Sequence, residues 1–152
     1  MPKAYRSMKS EGVPPKPVLG DSATKLGLRA RDLAPDANGN AVPGKGGVSI
    51  FSSIAGIGRR IQGLFPPDMV PARLHKTGKV TGAIGPNSLR VFKLGEGNYE
   101  EGEIADRLRL VPDGVANPDH GTIQPSFVMP MAEFKRAIAD TKELWEDGEN
   151  DP

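Results

Sequence analysis

The chain has 152 residues, with 20 lysines and arginines against 19 aspartates and glutamates, 19 glycines, 15 prolines, two histidines and no cysteine. That length suits one domain, and the lack of cysteine excludes disulfide scaffolds, thiol nucleophiles, cysteine zinc sites and cysteine-ligated iron–sulfur clusters. Val, Ile, Leu and Phe total 34 residues, as do Gly and Pro, so a small core under many loops is expected. No stretch reaches about 18 uncharged apolar residues, and the first residues, MPKAYRSMKSEG, carry charge without an apolar run. Neither a membrane span nor a secretory signal is therefore expected.

The small net charge hides a polarity. Residues 1–90 carry 14 Lys or Arg against 5 acids, and residues 91–152 carry 6 against 14, so the halves should attract each other or oppositely charged partners. The cations of the basic half are scattered singly, and its aromatics are Tyr5, Phe51 and Phe65. No nucleic-acid-binding pattern interleaves the two.

In chain order, Ala4 to Met8 is long enough for one strand, and the glycines and prolines of residues 12–46 leave room only for short elements. Val48-Ser49-Ile50-Phe51 follows the turn signal Gly46-Gly47 and reads as a second strand. Ser52 or Ser53 can cap a helix in which Ile54, Ile57, Ile61 and Leu64 share a face. Gly56, Gly58 and Gly63 each cost that helix about 1 kcal/mol relative to Ala. Pro66, Pro67 and Pro71 stop it, and Thr77 to Ser88 reads as an exposed excursion. Leu89 to Leu94, Arg107 to Val111 and Thr122 to Met129 are strand-like. From Pro130 a helix is expected with Met131, Phe134, Ile138 and Trp145 on one face, Gly148 ending it and the acidic residues Glu146 to Pro152 frayed. The fold class is mixed α+β, with a β-rich core and a C-terminal helix. Residues 1–147 form one domain and residues 148–152 an acidic tail.

Few motifs carry chemistry unaided. Gly39 to Gly46 (GNAVPGKG) satisfies GxxxxGK but has glycine where a nucleotide-binding loop needs Ser or Thr, so it reads as a Gly/Pro loop. Gly47 to Phe51 lacks the final glycine of a serine-hydrolase elbow. His75 and His120 have no His or Cys at i+3 or i+4, so no metal site is expected. His120 lies in a turn entering a strand, where backbone hydrogen bonding and function are both open to it; His75, in a basic loop, reads as solvated. Glu96, Glu100, Glu101 and Glu103 form an acidic cluster within one loop, which reads as a solvated face.

Taken together, Tyr5-Arg6, Arg29-Ala30-Arg31-Asp32 leading to Pro43, Gly46-Gly47-Val48-Ser49-Ile50-Phe51, and then Leu108, Leu110, Asp113, His120, Thr122-Ile123, Pro125, Met129 and Trp145 resemble a known family. It is that of the NAD-dependent toxin effectors of bacterial type VI secretion called exported effector two. The G-G-x-S-aliphatic-F and H-x-T-I-x-P segments are the specific parts, and residues 66–103 match poorly.

The resemblance implies a fold like the catalytic domains of ADP-ribosylating toxins and a cytotoxic effector exported by type VI machinery to act in the recipient cytoplasm. NAD is then the substrate, with no metal, for ADP-ribosyl transfer to a macromolecule or for NAD hydrolysis. The implied partners are an immunity protein and secretion carrier components, with no membrane. Arg6, Ser49 and His120 become the catalytic candidates, with Tyr5, Arg6, Gly46, Gly47, Ser49 and Phe51 around NAD. Arg6 would contact the pyrophosphate or ribose, Ser49 would fix the nicotinamide-side strand, and His120 would bond a ribose hydroxyl. Gly46-Gly47 would let backbone approach the ligand, and Tyr5 or Phe51 would stack on nicotinamide. The glutamate many such enzymes use has no motif match, leaving Glu100 or Glu101 by position, and Gly121 stands where an aromatic occurs in the family. A non-enzymatic interaction module and a toxin nuclease are the alternative functions.

Overall fold

Alternation with period two builds the centre of the molecule, which is described by the computed structural model for residues 1–57, 74, 89–113 and 118–151. Ile61, Leu64, the three helix-stopping prolines, His75 and the excursion from Thr77 to Ser88 lie outside the described residues. In β1 (Ala4–Glu11) Ala4, Arg6 and Met8 turn to one face and Tyr5 and Ser7 to the other. The strand pairs antiparallel with β5 (Leu89–Leu94) from Ala4 opposite Leu94 to Lys9 opposite Leu89. Strand β2 (Lys16–Pro17) adds to the far end of β1, while β3 (Asn40–Ala41) stands apart in a second, two-stranded sheet. The first half of the main sheet is completed by β4 (Val48–Phe51).

The second half continues with β6 (Gly102–Ala105), β7 (Leu108–Pro112) and β8 (His120–Pro125), all antiparallel. The last strands are β9 (Met129–Pro130), which pairs with β3, and β10 (Trp145–Asp147). The resulting sheet runs β10-β5-β1-β4-β8-β7-β6 and curls, giving a mixed α+β, sheet-dominated fold with a C-terminal helix at Met131–Asp140. Phe134 and Ile138 of that helix cover one face of the sheet with Met8, Phe92, Leu110 and Trp145, and loop residues Leu26, Leu28 and Leu33 close the same core. A smaller cluster on the opposite face joins Tyr5, Phe51 and Val91 to Ile54, Ile57 and Leu74. The helical residues 54–57 begin after Ser53, whose Oγ accepts the Gly56 amide at 2.9 Å as an N-cap.

Several expectations from the sequence are corrected. The strand read from Thr122 to Met129 starts at His120 and divides at Pro125, which has no amide proton to continue a ladder. Of the acidic residues assigned to one loop, Glu103 is on β6 and faces solvent, Glu96 pairs with Lys93, and Glu101 pairs with Arg109. The C-terminal helix stops at Asp140 instead of running to Trp145. A 3-10 turn (Lys142–Leu144) follows, and Trp145 enters the core from β10, which covers the edge of β5. The acidic end is not frayed: Gly148 N–H donates to Val91 O at 2.8 Å, the Glu149 carboxylate accepts Val91 N–H at 2.8 Å, and Asp151 accepts the Tyr5 hydroxyl at 2.8 Å.

The charge polarity along the chain does not map simply onto pairing. Arg90 of the basic half meets Asp147 of the acidic half, whereas Lys135–Asp21 and Lys142–Glu11 join the halves in the opposite sense.

Candidate functional site

The centre of the sheet is split. Strands β1 and β4 register at a single pair, Tyr5 opposite Phe51, and beyond it the Arg6 guanidinium bridges the two strands. Its Nη1 donates to Ser49 O at 2.7 Å, and its Nη2 donates to Lys25 O at 3.0 Å and Ala23 O at 3.5 Å. Arg6 is 7% exposed, and its Nε has no partner among the described residues. Burial pulls its pKa down to about 10, opposed by nearby Asp32 and assisted by Arg29, so it is still a cation at neutral pH. Asp32 is itself held by Arg29 through both carboxylate oxygens, at 3.1 and 2.9 Å, which ties the Arg29-Ala30-Arg31-Asp32 turn together.

Gly46 and Gly47 lead into β4 because no side chain fits there. A Cβ on Gly46, whose φ is +135°, would lie 2.1 Å from Asp32 O, and one on Gly47 would lie 2.1 Å from Ile123 O. The close backbone approach these glycines permit is made by the chain itself. Gly47→Ala is therefore expected to lower stability by about 1–3 kcal/mol through forced displacement of β8, read as an earlier urea midpoint; an unchanged midpoint would contradict this packing.

On the opposite face from Arg6, Tyr5, Phe51 and His120 stand in one row across β1, β4 and β8, through the pairs Tyr5 with Phe51 and Phe51 with His120. The Phe51 and His120 rings meet edge to face, with centroids 5.4 Å apart and planes at 75°. Two residues along, Ser49 pairs with Thr122 on this same face. Thr122 Oγ1 accepts from Gln124 Nε2 at 2.9 Å, and Gln124 Oε1 accepts the Gly44 amide at 2.8 Å, so the Gly44 loop helps to place this hydroxyl. Ser7, two residues beyond Tyr5 on β1, has a buried Oγ without a partner among the described residues. This face thus gathers hydroxyls, an imidazole and two aromatic rings, and among the described residues no lysine, arginine or carboxylate lies between Ser49 and His120.

His120 Nδ1 meets Asp113 Oδ2, and the Asp113 amide donates to His120 O at 3.1 Å. Asp113 thus holds the histidine at side chain and backbone. Tyr99 approaches from the other face of β8: a Cβ on Gly121 would lie 2.4 Å from Tyr99 Oη, so a side chain at position 121 and this tyrosine exclude one another. Tyr99 Oη is buried without a hydrogen bond among the described residues, and burial, with Asp113 and Asp119, pushes its pKa up to about 12. Tyr5 also rises to about 12, by burial and by its bond to Asp151, whose own pKa is lowered by accepting that bond.

The structure therefore places Tyr5, Ser49, Phe51 and His120 on one face, Arg6 on the other beneath the Ser49 carbonyl, and Gly46-Gly47 at the strand entrance. Asp113, Thr122 and Gln124 join the site on geometry. For the latter two, the alternation His120, Thr122, Gln124 was visible in the sequence; for Asp113, no local pattern linked it to a histidine seven residues on. Glu101 is bonded to Arg109 on the far strands, and Glu100 is exposed. Among the described residues no cluster of three metal-ligating side chains occurs, and no helix is long and apolar enough to cross a membrane. The class defined is a mixed α+β domain with a split antiparallel sheet and a polar, aromatic-flanked face at the split. No protein-family model, curated protein or solved structure matches the chain.

The chain has two tyrosines, which makes their ionisation separable. Both are expected to stay largely protonated at pH 11 in the folded protein, since each titrates near 12, while in urea they ionise around 10. A group held protonated by the fold contributes stability that is whole below its unfolded pKa, so this contribution is lost between about pH 10 and 12. Absorbance at 295 nm measures it; a native titration midpoint near 10 would contradict the burial of both phenols.

Proposed function

We propose that the chain is an NAD-directed toxin enzyme of the ADP-ribosyl-transferring kind, as its resemblance to the type VI effectors implies. The observation that carries this reading is the face formed by Tyr5, Ser49, Phe51 and His120 at the split between β1 and β4. It offers part of what cleavage of a nicotinamide–ribose bond demands: hydrogen-bonding groups for ribose hydroxyls beside an apolar wall in which Tyr5 and Phe51 are buried against Ile54, Ile57 and Leu74. The bond from ribose C1′ to the nicotinamide nitrogen breaks with its electron pair leaving on nicotinamide. A new bond forms from C1′ to an acceptor atom, which releases a proton; with water as acceptor the products are ADP-ribose, nicotinamide and a proton.

In this reading Ser49 and Thr122 orient the nicotinamide with their hydroxyls, His120 holds a ribose hydroxyl, and the buried Phe51 and Tyr5 support this face from its apolar side. Arg6 acts differently from a direct pyrophosphate ligand. With two short bonds to backbone carbonyls, it keeps the split strands in place and leaves its positive field behind Ser49. An immunity protein, type VI carriage and action in the recipient cytoplasm belong to the same proposal.

The test is induced cytoplasmic expression in bacteria of the wild type, Ser49→Ala and His120→Ala, with growth and intracellular NAD followed together. Arrest by the wild type with falling NAD or ADP-ribose on macromolecules, and at least about a hundredfold loss of purified activity in His120→Ala, is the expected result. Unchanged growth and NAD with folded wild-type protein would overturn the proposal.

A further inference from the structure

The imidazole of His120 has one nitrogen already assigned by its surroundings. Nδ1 faces Asp113 Oδ2, and an ionised carboxylate only accepts hydrogen bonds. In the neutral ring the proton is therefore on Nδ1, and Nε2 carries the lone pair. One further contact limits rotation of the ring, the Phe51 edge at 75°, while the Asp113 amide on the His120 carbonyl and the pairing of β8 with β4 fix the backbone that carries it. The His120 side chain is 11% exposed and that of Asp113 is 35% exposed, so the carboxylate remains partly hydrated while the imidazole is enclosed. A carboxylate behind an enclosed ring passes its influence through the ring.

We propose that Asp113 is a positioning residue that fixes His120 with Nε2 as a hydrogen-bond acceptor, so that the ribose hydroxyl donates to the histidine and never accepts from it. The inference rests on the NAD reading given above. A hydroxyl that donates gains electron density on its oxygen, and that density opposes the positive charge that builds on ribose as nicotinamide departs. The Asp113 carboxylate, acting through the His120 ring, then supplies the carboxylate character for which no glutamate of the chain is placed: Glu101 is engaged with Arg109, and Glu100 and Glu103 are exposed. Nothing is transferred between Asp113 and His120 in the step.

The experiment combines nitrogen-15 NMR of His120 with steady-state NAD turnover by purified protein, using wild type, Asp113→Asn and Asp113→Ala, with tryptophan fluorescence checking the fold. Wild type is expected to show the Nδ1–H tautomer. Asp113→Ala is expected to shift His120 toward Nε2–H and to lower kcat about 10–100-fold with a smaller change in KM. Asp113→Asn retains an acceptor oxygen without charge, so a kcat loss with the Nδ1–H tautomer preserved would separate the charge from the orientation and support both parts. An Nε2–H tautomer in wild type, or full turnover in a folded Asp113→Ala, would overturn the inference. Wild type with the Nδ1–H tautomer but no action on NAD would instead overturn the NAD reading and, with it, the catalytic role assigned to Asp113.

Discussion

Replacing Arg6 by alanine is expected to lower folding stability by about 3–5 kcal/mol, because it removes the donors for backbone carbonyls buried with it and opens the gap that the guanidinium fills. The loss is large against a total of about 5–15 kcal/mol for a domain of this kind. The Ser49 and Lys25 carbonyls, now bonded at 2.7 and 3.0 Å, would be left without donors inside the fold. Arg6→Lys is not a conservative rescue: one ammonium on a flexible stem cannot reproduce a planar fork that serves strand β4 and the loop at residues 23–25 together. Urea unfolding followed by circular dichroism measures the change, alongside NAD affinity. A variant that keeps its stability to within about 1 kcal/mol yet loses NAD affinity would show that Arg6 serves the ligand directly, as the resemblance implies, and would overturn the clamp.

Trp145→Ala is expected to cost a similar amount, about 3–5 kcal/mol. Trp145 is fully buried, packed in the main core, and its Nε1–H donates to Thr141 Oγ1 at 3.1 Å while that hydroxyl donates to Ile138 O at 2.7 Å. Removing the ring leaves a cavity, deprives Thr141 of its donor and loosens β10 from β5, exposing an unpaired sheet edge. Trp145→Phe should lose only about 1–2 kcal/mol, since most of the volume is kept and one hydrogen bond is lost. Thermal melts of the three proteins give the comparison, and wild-type unfolding is also visible in fluorescence because the chain has one tryptophan. Equal midpoints for wild type and Trp145→Ala would rule out the edge-strand placement.

The strands at Val48–Phe51 and Leu89–Leu94 were legible residue by residue, because their β-branched and aromatic residues are bounded by turn signals. Trp145 shows where such reading fails. It falls in helical phase with Phe134 and Ile138, and its burial was correctly expected, yet the chain leaves the helix at Thr141 and returns the indole from a strand. Period gives which residues are apolar together, but two different backbones can deliver one side chain to the same core. Strand β6 was hidden for a related reason: Gly102-Glu103-Ile104-Ala105 has one large apolar residue, and its pairing to β7 provides the remaining order.

For the site, composition excluded cysteine chemistry, and the resemblance pointed to Ser49, in an apolar strand, and to His120, in a turn entering a strand. The alternation along β4 and β8 even implied which of their neighbours share a face. What no local pattern held was the order in which the strands lie side by side, since register between residues 69 to 75 positions apart, as in β4 and β8, depends on closing the whole sheet. That closure set Phe51 against His120, brought Asp113 to the imidazole and set the Arg6 guanidinium on the carbonyl of Ser49. A buried guanidinium bonds whatever acceptors the assembled fold leaves unpaired, and those acceptors exist only once distant segments have met.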